Sequence, residues 1–270
     1  MLKLMNIAYS YDKDHQVLRN IDFSVEKGEI MAIAGRNGSG KTTLTRIIIG
    51  LVLAKQGKIE LDGEDVTSTK AYDMARKIGY VFQNPDRQLF ANTVIEETMY
   101  ASQQQPGCTK EKACIQAREA LHDVGLEGVE NKSPQLLSRG EKQRLAIASA
   151  LAAKPEILLL DEPTSGQDCR ERTHLLRLIR RLNHEGMTII LVTHDMDIIE
   201  EHANHIIVLK DGLLGFNGIP TDLFSDEELT VSLGLELPET ISMSKEMGIP
   251  LCRSAAEIYE NLKRRPGTHA

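Results

Sequence analysis

A chain of 270 residues, 41% hydrophobic and 26% charged, is long enough to bury a sizeable core as one large or two small domains. Its formal net charge of −7 argues against a surface built mainly to hold nucleic acid. Its four cysteines, Cys108, Cys114, Cys169 and Cys252, include no Cys-x-x-Cys pair, which suits reduced thiols better than a disulfide frame or a zinc site.

The amino terminus, Met1-Leu2-Lys3-Leu4-Met5-Asn6, runs directly into alternating apolar residues. It lacks the charged head, apolar core and cleavage site of a signal peptide, so a cytoplasmic chain is expected. Residues 29–34 read as a buried strand and 43–49 as a helix. Between them lies Gly35-Arg36-Asn37-Gly38-Ser39-Gly40-Lys41-Thr42. Glycines at 35, 38 and 40 let the backbone turn tightly and aim successive amide N–H groups into one concavity, the shape that wraps a phosphate chain. Lys41 can reach β- and γ-phosphates, Thr42 can place its hydroxyl on Mg²⁺, and the following helix directs its positive end at the anion. The expectation is a bound nucleoside triphosphate. The longest strongly apolar stretch, 47–54, is too short to cross a bilayer and contains Gly50, so any membrane association is expected to run through a partner.

Strand-like segments recur at 78–83, 157–160, 188–193 and 205–210, with helical stretches between several of them. That alternation predicts an α/β fold with a mostly parallel sheet and helices on its faces. Residues 84–153 lack a clear strand and hold a helical stretch over 109–124, which reads as an inserted helical lobe. Within it, Leu137-Ser138-Arg139-Gly140-Glu141-Lys142-Gln143-Arg144 opens a helix that continues to Leu151. Taken alone, Ser138 with Glu141 three residues later is an ordinary capping box. The strand 157–160 ends in Asp161-Glu162. Two carboxylates closing an aliphatic strand are costly unless they act at the sheet's edge, where ligands of open α/β sheets bind. Asp161 is then expected to hold Mg²⁺ and Glu162 to activate the attacking water; the competing reading is a strand-end pair capping the next loop through Pro163 and Thr164. After Lys210-Asp211-Gly212 a turn leads through 213–216, Gly218-Ile219-Pro220 closes the main unit, and the remainder to Ala270 reads as a small, mostly helical appendage.

The phosphate loop, the Leu-Ser-Arg-Gly-Glu segment and the acidic strand, in this order and spacing, resemble the ATP-binding subunits of ABC transporters, whose signature reads Leu-Ser-Gly-Gly-Gln. The resemblance implies a P-loop NTPase fold of the ABC ATPase type: a mostly parallel sheet, an antiparallel N-terminal β part, an inserted helical lobe and a helical C-terminal appendage. It implies an ATPase domain over 1–220, with its lobe at 84–153, and an appendage over 221–270. ATP and Mg²⁺ are the implied ligands. Tyr11 would stack on adenine, with Tyr9 as the competing ring. Gly35, Arg36, Asn37, Gly38, Ser39, Gly40, Lys41, Thr42 and Thr43 would surround the phosphates, and Thr42, Gln83 and Asp161 would serve the metal. Glu162, His194, Gln83 and Lys41 would carry catalysis, His194 as the switch that contacts the γ-phosphate from the end of the strand 188–193. Ser138 and Gly140 would contact the γ-phosphate of ATP held by a second ATPase subunit, so a homodimer or heterodimer is implied.

Gln83-Asn84-Pro85-Asp86-Arg87-Gln88-Leu89-Phe90, with Thr93-Val94 and Glu96-Glu97 following, is more specific. It is similar to the A components of energy-coupling factor transporters, the vitamin and cobalt or nickel importers, as are Asp222-Leu223-Phe224-Ser225 and Gly234-Leu235-Glu236-Leu237-Pro238. That similarity implies a transmembrane coupling subunit docked on the loop 83–90, a separate substrate-binding membrane subunit, and a place on the cytoplasmic face of the cell membrane. Nucleic acid is not an expected partner. A different ABC transporter class, and a soluble ABC-type ATPase without transport, are the alternatives. Two positions depart from the family pattern: Arg139 stands where the signature usually has its first Gly, and Gln167 replaces the usual Leu in Ser165-Gly166-Gln167-Asp168, the loop implied to cross the dimer seam.

Overall fold

A computed structural model describes residues 1–12 and 16–264. The chain enters as β1 (Leu2–Ser10) and β2 (Gln16–Val25), an antiparallel pair with Leu2 opposite Val25 and Leu4 opposite Phe23. The fully buried β3 (Ile30–Ala34) follows and leads into α1 (Lys41–Ile48). Next come β4 (Gln56–Leu61), β5 (Glu64–Asp65), the short α2 (Ala71–Met74) and β6 (Ile78–Val81). β4 lies on the other edge of β1, Leu2 opposite Leu61, which completes a four-stranded sheet of order β2-β1-β4-β5.

Three helices then follow without a strand: α3 (Val94–Gln103), α4 (Lys110–Asp123) and α5 (Arg139–Ala152). Thr93 and Thr109 accept from backbone N–H groups of the first turns of α3 and α4, satisfying donors that no helical carbonyl reaches. Ala113 and Ala117 of α4 are fully buried against Met99 of α3, small side chains letting the helices approach. The chain returns through β7 (Ile157–Asp161), α6 (Cys169–His184), β8 (Thr188–Val192), α7 (Met196–His202), β9 (His205–Lys210) and β10 (Leu213–Gly218). Asp211 and Gly212, both at positive φ (50° and 77°), form the two-residue turn between β9 and β10 that suits the right-handed twist of paired strands. Four short helices close the described chain: α8 (Pro220–Ser225), α9 (Glu227–Ser232), α10 (Glu239–Met247) and α11 (Ala255–Lys263).

The second sheet has the order β10-β9-β3-β8-β7-β6, parallel except for the β9–β10 pair. Its inner strands are aliphatic on both faces because both faces are covered, and successive side chains serve two different cores. Met31, Ile33, Leu159 and Ile190 point to the antiparallel sheet and α1, meeting Leu4, Ile21, Phe23, Leu44 and Ile48. Ala32, Leu158, Leu160, Ile189 and Leu191 point the other way, onto Leu145 and Ile147 of α5, Leu175, Leu178, Ile179 and Leu182 of α6, and Ile199 of α7. Each such side chain stabilises the fold by about 1.5–3 kcal/mol through burial. Strands at 29–34, 78–83, 157–160, 188–193 and 205–210 are therefore present, most a residue or two shorter than the sequence suggested. β4, β5 and α2 had no clear sequence signal.

The last helices are pinned onto this frame. Phe224 is fully buried. Arg253 donates to the carbonyl oxygens of Glu200 and Ala203 at the end of α7 and lies 3.2 Å from the Glu200 carboxylate, whose side chain is fully buried. Burial pushes that carboxyl above its usual range, and Arg253 pulls it back part of the way. His202 sits beside it, its side chain only 6% exposed. A helix C-terminus favours an imidazolium. Here burial first, then Arg180, Arg172 and Arg253, outweigh that preference and the exposed Glu201 at 3.8 Å, and push His202 down to about 4. An unfolded histidine titrates near about 6.5. Between these values the unfolded chain takes up a proton that the folded chain refuses, so this contribution is complete above about pH 6.5 and is lost as pH falls toward 4. Urea unfolding of the wild type should lose about 2–3 kcal/mol more stability between pH 7 and pH 4 than His202→Gln does. Parallel pH dependences in the two proteins would contradict the assignment.

Candidate active site

The register of the parallel sheet brings three strand ends to one level, because Ile33 is opposite Val192 and Val192 is opposite Asp161. The residues that follow each end therefore share a cleft of about 1470 Å³. One wall is the loop from Gly35 to Lys41. Gly35, Gly38 and Gly40 have φ of 137°, 83° and 108°, the region that L side chains rarely adopt. A Cβ at Gly35 would lie 2.3 Å from the Leu209 carbonyl oxygen, and one at Gly40 would lie 2.7 Å from the Leu18 side chain. Only glycine fits those two places. Gly40 is the N-cap of α1 and makes no side-chain cap bond, so the helix opens with backbone donors that no capping side chain satisfies. Ser39 Oγ is buried without a partner in the same loop. Lys41 Nζ folds back to donate to the carbonyl oxygens of Gly35 (2.6 Å) and Arg36 (3.1 Å). Burial lowers its pKa, while Glu162 and Asp161 raise it. An uncapped helix end, an orphaned hydroxyl and a half-buried ammonium suit a polyanion.

The opposite wall is acidic. Asp161 Oδ2 accepts a hydrogen bond from the Tyr80 hydroxyl at 2.9 Å. Burial raises the Asp161 pKa more than Tyr80, Lys41 and Arg46 lower it, so the carboxylate lacks full charge compensation. The same burial, and then Asp161, raise the Tyr80 phenol. Among the described residues no group of three His, Cys, Asp or Glu side chains converges, so a cation beside Asp161 would complete its shell with Thr42, Gln83, phosphate oxygens and water. That donor set is hard, all-oxygen and short of protein ligands, as Mg²⁺ sites on phosphates are. Glu162 stands in the left-handed region at φ 47°, a costly conformation for a side-chain-bearing residue. Its amide donates to the Val192 carbonyl at 2.8 Å, and its Oε1 lies 2.7 Å from His194 Nδ1. The backbone strain aims the carboxylate across the sheet at the histidine following β8.

The other sequence-selected residues are spread around this centre. Gln83, Arg36, Asn37, Gly38, Thr42 and Thr43 line the cleft. Tyr11 stands at its rim, exposed, its hydroxyl 3.3 Å from Thr43 Oγ1; that contact and Arg46 hold the phenol below its ordinary value. Tyr9 meets the Tyr11 ring edge-on at 5.0 Å and packs against the core instead. Ser138 and Gly140 do not line their own chain's cleft. Ser138 Oγ accepts from the Glu141 amide and Glu141 Oε2 accepts from the Ser138 amide, a complete capping box at the start of α5. Tyr80 was invisible as a site residue because it reads as one more strand position. The tail residues Gly234, Leu235 and Glu236 also line the cleft, although the sequence marked them only as part of the C-terminal appendage and not as site residues.

Residues 18–165 match the ABC transporter family. The chain is 39% identical to EcfA, the energy-coupling factor transporter ATP-binding protein of Methanothermobacter thermautotrophicus, over 90% of this chain and 78% of that one. Among solved structures, cbiO1 from Clostridium perfringens, described as part of the ABC transporter complex cbiONQ, superposes with a TM-score of 0.78 at 31% identity, covering 92% of this chain and 98% of its own. The ATP-binding cassette MJ0796, dimeric in a post-hydrolysis state with ADP and Pi, gives 0.72 at 31% identity, with coverages of 82% and 99%. Some relatives are longer, and this chain spans 43% of their length. The chain belongs to the ABC transporter family, as one of its ATP-binding, ATP-hydrolysing subunits.

Proposed function

We propose that this chain energises an importer of the energy-coupling factor class, for vitamins or for cobalt or nickel ions, and that it works on the cytoplasmic face of the membrane as a homodimer or heterodimer. The observation that carries hydrolysis is the strained Glu162 held 2.7 Å from His194 beside an uncapped phosphate cradle. Tyr11 stacks on adenine. Gly35 to Thr43 wrap the phosphates with backbone N–H groups, and Lys41 turns from its own loop carbonyls to the β- and γ-phosphates. Thr42, Asp161 and Gln83 would hold Mg²⁺, which supplies neutralising charge to the phosphate oxygens. Glu162 accepts the proton of the water that attacks the γ-phosphorus, and the bond to the ADP oxygen breaks as the new one forms. His194 orients Glu162 and the γ-phosphate. Ser138 and Gly140, absent from their own cleft, complete the site of a second ATPase subunit through the N-terminus of α5. In this reading the ATPase domain spans 1–220 with its lobe at 84–153, and the appendage spans 221–270, of which 265–270 lie outside the described residues.

Among the described residues no helix is long and apolar enough to cross a membrane. Association would run through a transmembrane coupling subunit, with a substrate-binding membrane subunit choosing the cargo. A surface suited to that contact exists on the lobe. Phe90 is 64% exposed and meets Tyr100 edge-on at 4.8 Å, with the exposed Phe82 on the strand side of the same loop. The buried Glu97 carboxylate accepts from the Phe90 and Ala91 amides, both at 2.8 Å, so the ring is displayed by a preset loop. Kinship with EcfA, an energy-coupling factor transporter ATP-binding protein, and with cbiO1, part of the ABC transporter complex cbiONQ, supports this reading.

Purified chain should hydrolyse ATP only with Mg²⁺, and Glu162→Gln should slow turnover by about 100-fold or more while trapping an ATP-dependent dimer on gel filtration. Unchanged turnover would remove Glu162 from the mechanism. Affinity purification from membranes should bring down integral membrane proteins, and Phe90→Ala should reduce their yield about ten-fold. Recovery of no membrane protein with the wild type would instead favour a soluble ATPase.

A further inference from the structure

Of the two departures from the family pattern, Arg139 reaches the turn in which Gln167 stands. Arg139 Nη2 donates to the Ser165 carbonyl oxygen at 2.8 Å. A Cβ on Gly166 would lie 2.6–2.7 Å from three atoms of the guanidinium, so its plane covers that glycine face-on. The Ser165 amide in turn donates to the Glu162 carbonyl oxygen at 3.1 Å. Two hydrogen bonds therefore separate the side chain of Arg139 from the backbone of Glu162. Behind this contact the same two segments are braced again: a Cβ on Gly140 would collide with the Glu171 carboxylate, and Arg144 pairs with that carboxylate at 2.6 Å. Asp168 caps α6 by accepting from the Glu171 amide at 2.9 Å. Gln167 Oε1 is buried in the turn without a partner.

We infer that Arg139 is a positioning residue for hydrolysis: it ties the turn that carries Glu162 to the first turn of α5, so that contact of α5 with another subunit's ATP sets Glu162 in its own chain. This rests on the two-subunit reading above. A glycine at 139 has no side chain to span the seam, and lysine offers a point charge that can reach one carbonyl but not cover Gly166. Arg139 is itself exposed, so its contribution to stability is small. Its effect falls on geometry, where a small displacement of a catalytic group costs turnover steeply. The competing role, a direct ligand of the partner's γ-phosphate, predicts weaker ATP binding and pairing instead.

The test compares wild type, Arg139→Gly and Arg139→Lys in full-length protein. Steady-state ATPase assays give kcat and KM, and ultracentrifugation gives ATP-dependent dimerisation of the same variants combined with Glu162→Gln. Expected for Arg139→Gly is a kcat lower by about ten-fold, with KM and the ATP concentration for half-dimerisation each within about two-fold of the parent, and for Arg139→Lys at most a partial recovery of kcat. An unchanged kcat overturns the inference. So does a rise in KM together with loss of dimerisation, which makes Arg139 a phosphate ligand. If the wild type shows no Mg²⁺-dependent ATPase and Glu162→Gln does not dimerise with ATP, the two-subunit reading fails and this inference fails with it. A wild type that passes both, beside a silent Arg139→Gly, defeats the inference alone.

Discussion

The parallel strands β3, β8 and β7 are covered on both faces, which leaves them no room for polar side chains except where they end. The placement of the loop 35–41, of Asp161 and Glu162, and of His194 follows from that constraint. The aliphatic runs 30–34, 157–160 and 189–192 must stop before a charge can appear, and the register aligns where they stop. Gly35, Asp161 and Thr193 are thereby neighbours, and the loop, the two carboxylates and His194 are assembled by strand pairing alone. Sheet order does the rest, with β3 between β8 and β9 and the acidic strand one place further out.

The electrostatics of this cleft describe an incomplete site. Burial disfavours charge on both Lys41 and Asp161, raising the acid and lowering the base, although each is drawn back by the other. A cation and an anion arriving together, as a metal-bound triphosphate does, satisfy both at once. Glu162 adds stored backbone strain, which persists because its amide is held by Val192 and its side chain by His194. Lys41 Nζ, by contrast, is bonded to the Gly35 and Arg36 carbonyls of its own loop.

The C-terminal helices touch this machinery at several points. Arg253 grips the end of the seven-residue helix α7, which starts two residues after His194, and the Thr240 amide reaches Asp197 in its first turn. The tail also presses on the phosphate loop, for a Cβ at Gly234 would meet the Arg36 side chain at 2.3 Å. The C-terminal helices, His194 and the loop 35–41 are thus linked through one short helix and one close approach.

Much of this was legible before any coordinates. The glycine spacing of the phosphate loop, the aliphatic strand closing in Asp161-Glu162 and the Ser138–Glu141 capping box are local chemistry: each is dictated by φ preferences, side-chain period or hydrogen bonds spanning a few residues, and each leaves a mark in consecutive sequence. The pairing of β1 with β4 was not legible, since Leu2 opposite Leu61 is set by two sheets sharing a core and not by any turn. Nor were Tyr80 on Asp161, Arg253 on Glu200 and Arg139 on Ser165, contacts across 81, 53 and 26 residues whose partners include a strand position and two backbone carbonyls. The sequence by itself determined which chemistry the chain carries and the order in which it comes. Tertiary structure alone decided which groups hold that chemistry in place, because register and packing, not propensity, choose the neighbours of a residue far away in the chain.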